Sequence, residues 1–200
     1  PKMPSFSETS QNLKSHLKIS VDDVVYCFIG RLNKDKGLKE LAQAFSVLPV
    51  NAHLIIVGDR DDSAPIDSLS MSVFESHPRV YLLGFQQDIR SALFSSDILV
   101  LPSYRAGFPN VVLQAGAMGM PCIVTDISGC NEIIQAGFNG WLVAPHDHQS
   151  LANAMLEALS SPADVLSQMG ENARRRVTSR FDRKDHLLRM ANFYKDELDV

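Results

Sequence analysis

Short apolar runs of four to six residues, rich in β-branched side chains, alternate along this chain with longer stretches whose apolar residues recur every three or four positions. The runs Val24–Ile29 (VVYCFI), His53–Val57 (HLIIV), Val80–Leu83 (VYLL), Ile98–Leu101 (ILVL), Cys122–Thr125 (CIVT) and Gly140–Val143 (GWLV) predict strands. They are apolar throughout, the pattern of strands covered on both faces in a parallel sheet. Between them, helical periodicity predicts helices from Leu38 (LKELAQAFSVL), over Ile66–Glu75, over Gln87–Phe94 and over Asn110–Met118. Beyond the last strand, HQSLANAMLEALS and PADVLSQMGENARRRVTSR predict two more, and a further helix is expected from Asp182. Strand–helix alternation makes βαβ units with right-handed crossovers. The expected architecture is α/β: a Rossmann-like doubly wound parallel sheet of about six strands, followed by C-terminal helices. Residues 24–200 are read as this domain. The polar opening PKMPSFSETSQNLK puts residues 1–23 down as a linker or leading helix from a preceding N-terminal half.

Ligands of such sheets bind outside the carboxyl ends of the strands. Three strands here run into a glycine, at Gly30, Gly58 and Gly84. Glycine lets the chain turn sharply and lets a ligand come close. After the first strand, GRLNKDKG places Arg31 and Lys36 between a buried strand and a helix N-terminus, where two cations and the helix dipole favour a phosphate. Lys34 is read as solvated. The spacing is not that of a Walker loop. After the fourth strand comes PSYRAGFPNVVLQAGAMGMP. Gly107, Phe108 and Pro109 predict a tight turn, with Pro109 in the first helical turn. The free amides of Asn110 and Val111 would then point at the cleft, so that a pyrophosphate is held between them and Arg31 and Lys36. Gln114 lies one turn further on, and its amide suits a ribose hydroxyl. Gly116 and Gly119 read as thinning this helix for close packing on the sheet.

Composition narrows the field. With 200 residues, 45% of them hydrophobic, the chain can bury an ordinary core. A net charge of −4 lacks the basic excess that nucleic acid requires. The cysteines, Cys27, Cys122 and Cys130, are odd in number and have no C-x-x-C spacing. That argues against a disulfide framework or zinc site and for a reducing compartment, with Cys27 and Cys122 as buried apolar residues. No apolar run approaches the ~20 residues of a membrane span. Asp59-Arg60-Asp61-Asp62 has D-x-D spacing, but metal binding needs converging carboxylates; the stretch is read as a solvated loop without metal. His146 and His148 flank Asp147 without a third ligand nearby, and Asp147 suits an N-cap. No G-x-S-x-G elbow is present. Glu132, after Ser128-Gly129, reads from the residues alone as a carboxylate favoured at a helix start. Arg174, Arg175, Arg176 and Arg180 form a basic face, read first as solvated and second as a contact with a membrane surface.

Taken in order, GRLNKDKG, VGD at 57–59, LPS at 101–103, GFPNVVLQAGAMGMP and GCNEII resemble the C-terminal half of retaining glycosyltransferases of the large GT-B family 4 group. The resemblance runs from about Val24 to about residue 195. It implies a donor-binding domain whose N-terminal companion supplies most of the acceptor site. Arg31 and Lys36 match the basic pair that neutralises the donor diphosphate. By the resemblance, Gly30, Gly58, Asp59, Gly84 and Phe85 fall where the nucleotide lies, Ala106 to Val111 where the diphosphate and sugar lie, and Glu132 in the short turn that faces the donor. The family's two acids fall on Ala106 and Gln114, so the sugar contact is deleted and the ribose contact weakened. Whether Ala106 reflects engineering, divergence toward another donor or inactivation stays open. The resemblance further implies a nucleoside diphosphate sugar as substrate, no cofactor, a glycan or lipid-linked acceptor, no nucleic acid, and a cytoplasmic place that allows peripheral membrane contact. Two alternatives are a binding module without turnover and a nucleotide-sugar epimerase or sugar-phosphate synthase on the same architecture.

Overall fold

A computed structural model describes residues 13–105, 107 and 109–180. Ala106, Phe108 and the segment from Asp182 lie outside the described residues, as do residues 1–12. Six strands, β1 (Val24–Ile29), β2 (Ala52–Val57), β3 (Val80–Leu82), β4 (Ile98–Leu101), β5 (Cys122–Thr125) and β6 (Gly140–Val143), form one sheet. Its order is β3-β2-β1-β4-β5-β6 and every pairing is parallel. This is the doubly wound order whose connections change direction between β1 and β4. Among the described residues the helices are α1 (Leu38–Ser46), α2 (Ser68–Ser76), α3 (Arg90–Phe94), α4 (Asn110–Ala117), α5 (Cys130–Ile133), α6 (His148–Ser160) and α7 (Ala163–Arg180). A 3-10 turn at Lys34–Lys36 precedes α1, and residues 13–16 are also helical.

The unbroken apolar runs follow from burial on both faces. Tyr26 and Phe28 of β1 join the main core with Leu41 and Phe45 of α1 and Met155 of α6. Val25 and Cys27 turn the other way, into a smaller core with Ile55, Val57, Ala92 and Ile19. Full burial of one such large side chain is worth ~1.5–3 kcal/mol. Tyr26 keeps its hydroxyl satisfied by donating to the Met155 carbonyl at 2.6 Å.

Several boundaries move from their expected places for local reasons. The second helix starts at Ser68 because the Asp67 carboxylate accepts the Ser70 amide at 2.9 Å. The third contracts to Arg90–Phe94, because Asp88 accepts both the Arg90 amide and its guanidinium. Gly116 and Gly119 serve a different neighbour from the one expected. A Cβ at Gly116 would lie 2.7 Å from Val177 Cγ2, and Gly170 backs onto the Gly119 carbonyl. The small residues therefore let α7 close on α4, rather than α4 on the sheet.

Candidate functional site

Loops leaving β1, β2, β3 and β4 lie along the carboxyl edge of the sheet. A cleft of about 500 Å³ opens at the carboxyl ends of β1 and β2, lined by Gly30, Arg31, Gly58, Asp59, Phe85 and Ile89 among others. Its floor depends on glycine. Gly58 has φ 140°, and a Cβ there would lie 1.9 Å from the Gly30 carbonyl oxygen. Only glycine lets the two strand ends cross so closely. The Gly30 amide donates to Val57 O and the Gly58 amide to Gly84 O, each at 2.9 Å, so all three expected glycine exits join one ladder. Asp59 accepts the Phe85 amide at 3.0 Å, which fixes Phe85, 68% exposed, on the cleft rim.

The basic pair is split in orientation. The Arg31 side chain is 74% exposed and pairs with Asp61 at 2.9 Å. The Ser63 hydroxyl and the Asn33 amide also donate to Asp61, and these bonds hold its carboxyl below the usual carboxylate range. Lys36 is half-buried and makes no ion pair with any described residue. Its Cε comes within 4.0 Å of where a Gly30 Cβ would stand. Its charge also reaches the Cys130 thiol, which burial pushes up to about 11 against that cationic influence. Lys36 thus stands over the end of β1, toward the turn before α5, while Arg31 leans toward the loop after β2. Lys34 is exposed, as expected.

Gly37, which closes the GRLNKDKG stretch, did not figure among the expected site residues. It holds φ 65°, and a Cβ there would meet the Pro102 carbonyl oxygen at 1.9 Å. This seats the N-terminus of α1 against the exit of β4. The signal was available as a glycine immediately before a helical pattern.

The segment leaving β4 is tied back to the 3-10 turn. The Tyr104 amide donates to Asp35 O at 2.9 Å and Arg105 pairs with the Asp35 carboxylate at 2.7 Å. Helix α4 begins at Asn110 with Pro109 at its N-cap, one place earlier than the first helical turn, and no side chain caps its first amides. Asn110 and Gln114 are exposed on that helix, and Gly107 is exposed with open space where a Cβ would lie. Glu132 turns toward its own helix: its carboxylate accepts the Gly129 amide at 3.2 Å. Lys36, Gly107, Pro109, Asn110, Val111, Gln114 and Glu132 all lie outside the lining of the cleft that holds Arg31 and Phe85.

Other expected features resolve into structural work. Asp147 caps α6 by accepting the Gln149 and Ser150 amides at 3.0 and 2.9 Å. Among the described residues no group of three or more His, Cys, Asp or Glu is placed to hold a metal. Arg174 donates to Ala117 O and Met118 O at the end of α4, and Arg176 to Glu132 O and Ile133 O at the end of α5. Half of the basic face is thus engaged with helix C-termini. All three cysteines are buried and unpaired. No helix among the described residues is long and apolar enough to cross a membrane.

Sheet order and flanking helices define a Rossmann-like α/β domain, with a glycine-floored cleft at the carboxyl ends of β1 and β2. The chain belongs to the glycosyl transferases group 1, whose family model matches residues 9–176. It is similar to N-acetyl-alpha-D-glucosaminyl L-malate synthase of Bacillus anthracis, at 31% identity over 195 residues, which cover 96% of this chain and 51% of that one. It is also similar to the UDP-Gal:alpha-D-GlcNAc-diphosphoundecaprenol alpha-1,3-galactosyltransferase of Escherichia coli, at 29% identity over 185 residues, 90% of this chain and 47% of that one. Among solved structures, Anabaena Alr3699/HepE in complex with UDP superposes with a TM-score of 0.85 at 25% identity, covering 96% of this chain and 54% of that one. The chain spans about half the length of the curated relatives it matches.

Proposed function

We propose that residues 24–200 form the donor-binding half of a retaining, family 4 type glycosyltransferase, which moves a sugar from a nucleoside diphosphate carrier to a glycan or lipid-linked acceptor. The acceptor would be held largely by an N-terminal half. The observation that carries this reading is the loop after β1, which puts Arg31 in the lining of the cleft and Lys36, without an ion pair among the described residues, over the end of the same strand. A diphosphate lying across Gly30, from the cleft toward α4, would meet these two cations and the N-terminus of α4. As the sugar–phosphate bond breaks, charge grows on the departing diphosphate, and preorganised cations lower that barrier. Gln114, exposed one turn into α4, would serve the ribose. Phe85 on the rim would cover the base. The nucleoside diphosphate sugar is the substrate in this scheme, and no cofactor takes part. Support comes from the solved Anabaena neighbour, which holds UDP, and from the Escherichia coli relative, whose name specifies UDP-Gal and a diphosphoundecaprenol acceptor.

The test is a titration of UDP, GDP, ADP and their sugars into this chain, with Arg31→Ala in parallel. Saturable binding that Arg31→Ala abolishes is expected, and the preferred base is read from the same series. Binding unchanged by Arg31→Ala would count against the basic pair.

A second reading, nucleotide-sugar binding without turnover, is favoured by Ala106 and Gln114, since neither offers a carboxylate. In the full-length protein, Ala106→Glu should raise the transfer rate about tenfold or more, the size of one charge-assisted hydrogen bond to the sugar. Radiolabelled sugar transfer measures this, and an unchanged rate favours the non-catalytic reading.

A further inference from the structure

The second half of α7 and the turn before β6 border a groove of about 670 Å³. Three guanidinium groups line it, those of Arg175, Arg176 and Arg180, together with Phe138 and Asn172, and no carboxylate does. None of the three arginines makes an ion pair with a described residue. The acids nearest in sequence are placed elsewhere: Glu132 turns its carboxylate to the Gly129 amide, and Glu171, one turn before Arg175, is not in the lining. Like charges gathered without a counter-ion repel one another. Burial and the Arg180 charge accordingly hold the Arg176 guanidinium below the usual arginine range. Arg176 is engaged with the α5 carbonyls, whereas Arg175 and Arg180 are exposed. Phe138 is 41% exposed, and the buried Asn172 amide holds its backbone by donating to the Phe138 carbonyl at 2.9 Å.

We propose that this groove is a docking surface for an anionic bilayer, with Arg175 and Arg180 on lipid phosphates and Phe138 in the headgroup layer. The whole chain carries a net charge of −4, so an anionic surface repels it on average, and attraction has to come from a local patch. Here the missing counter-charge is what lipid phosphates supply. A soluble anion fits less well. The hydroxyls of Thr178 and Ser179 donate to carbonyls of their own helix, so no ring of free donors closes around a single phosphate. An exposed aromatic ring beside the cations adds nothing to such a site, whereas at a bilayer the ring and the arginine stems both bury apolar surface among the headgroups. The groove lies at the β6 flank of the sheet, and no residue lines both it and the cleft at β1 and β2. The inference is therefore independent of the donor-binding reading.

The test measures partition of the whole chain onto sedimentable vesicles, of phosphatidylcholine alone and of phosphatidylcholine mixed with phosphatidylglycerol. Binding to the mixed vesicles and not to the neutral ones is expected. Arg175→Gln and Arg180→Gln should each lower the partition coefficient about fivefold, the weight of one basic residue near an anionic surface. Together they should lower it about twenty-fivefold. Arg175→Lys and Arg180→Lys should bind as the parent does, since a surface potential counts charge and not the guanidinium fork. Phe138→Ala should weaken binding at low and high salt alike, whereas the arginine effects shrink as salt is raised. Thermal melts of the same samples confirm that each variant is folded. Arg180→Gln carries the test alone should Arg175→Gln, which alters a bond to Asn172, fail to fold. Partition of the double variant within about twofold of the parent, or no binding of the parent to the mixed vesicles, would overturn the proposal. So would lysine variants as weak as the glutamine ones, or saturable binding of inorganic phosphate without partition onto vesicles.

Discussion

A methyl group at residue 37 would fall 1.9 Å from the Pro102 carbonyl oxygen, on a backbone already held at φ 65°. Gly37→Ala should therefore cost about 2 kcal/mol or more, read as a shift in urea midpoint, since a left-handed L residue and a steric clash add. It should also impair UDP binding, because it displaces α1 from the exit of β4. Asp61 makes the opposite case. Its carboxylate already occupies Arg31, so on the proposed donor-binding reading a diphosphate would compete with it. Asp61→Asn should tighten UDP binding about threefold, a modest gain in keeping with an exposed pair; calorimetry with and without the substitution measures it. The placement of Arg31 and Lys36 between the first strand and the first helix was legible in the sequence, because an apolar run and a helical pattern bracket them. Gly37 was not legible as a partner of Pro102. That contact depends on which strands become neighbours, and local pattern does not encode that.

Helices are where periodicity and capping compete. The apolar pattern located each expected helix within the described residues, but Asp67 and Asp88 set two of the starts by accepting backbone amides inside the expected spans. The short helix at Cys130–Ile133 and the 3-10 turn at Lys34–Lys36 are too brief to carry a period. The Arg174–Arg176 face looked like a solvated stripe because sequence shows charge and not direction. In the structure two of its guanidinium groups close the ends of separate helices. Arg174→Ala and Arg176→Ala should each lower stability by about 1 kcal/mol, the net value of a charge-assisted bond to carbonyls that water can partly replace. Because they cap different helices, their effects should add in chemical denaturation.

For the whole molecule, runs apolar on both faces announced a parallel sheet with covered sides, and the six strands expected are the six found. Their lateral order was beyond such patterns, since a run of valine and isoleucine is compatible with any neighbour. The same enclosure governs the cysteines. Burial pushes the Cys27 thiol up to about 12 and that of Cys130 up to about 11, and it raises Cys122 as well. A thiol whose pKa is raised stays protonated until the pH approaches that value. At about pH 8 the native chain should therefore resist a maleimide or disulfide reagent at all three positions, and react at all three once denatured. Mass spectrometry of the labelled protein counts the modified sites. The sheet order also bears on synthesis. As the chain leaves the ribosome, β1 finds β2 early, but its other side waits for residues 98 and 99, the partners of Tyr26 and Cys27. Through that interval the nascent protein carries an open strand edge, to which a neighbouring copy could add itself. The same strand that frames the crevice is thus the one most exposed to mispairing before the crevice exists.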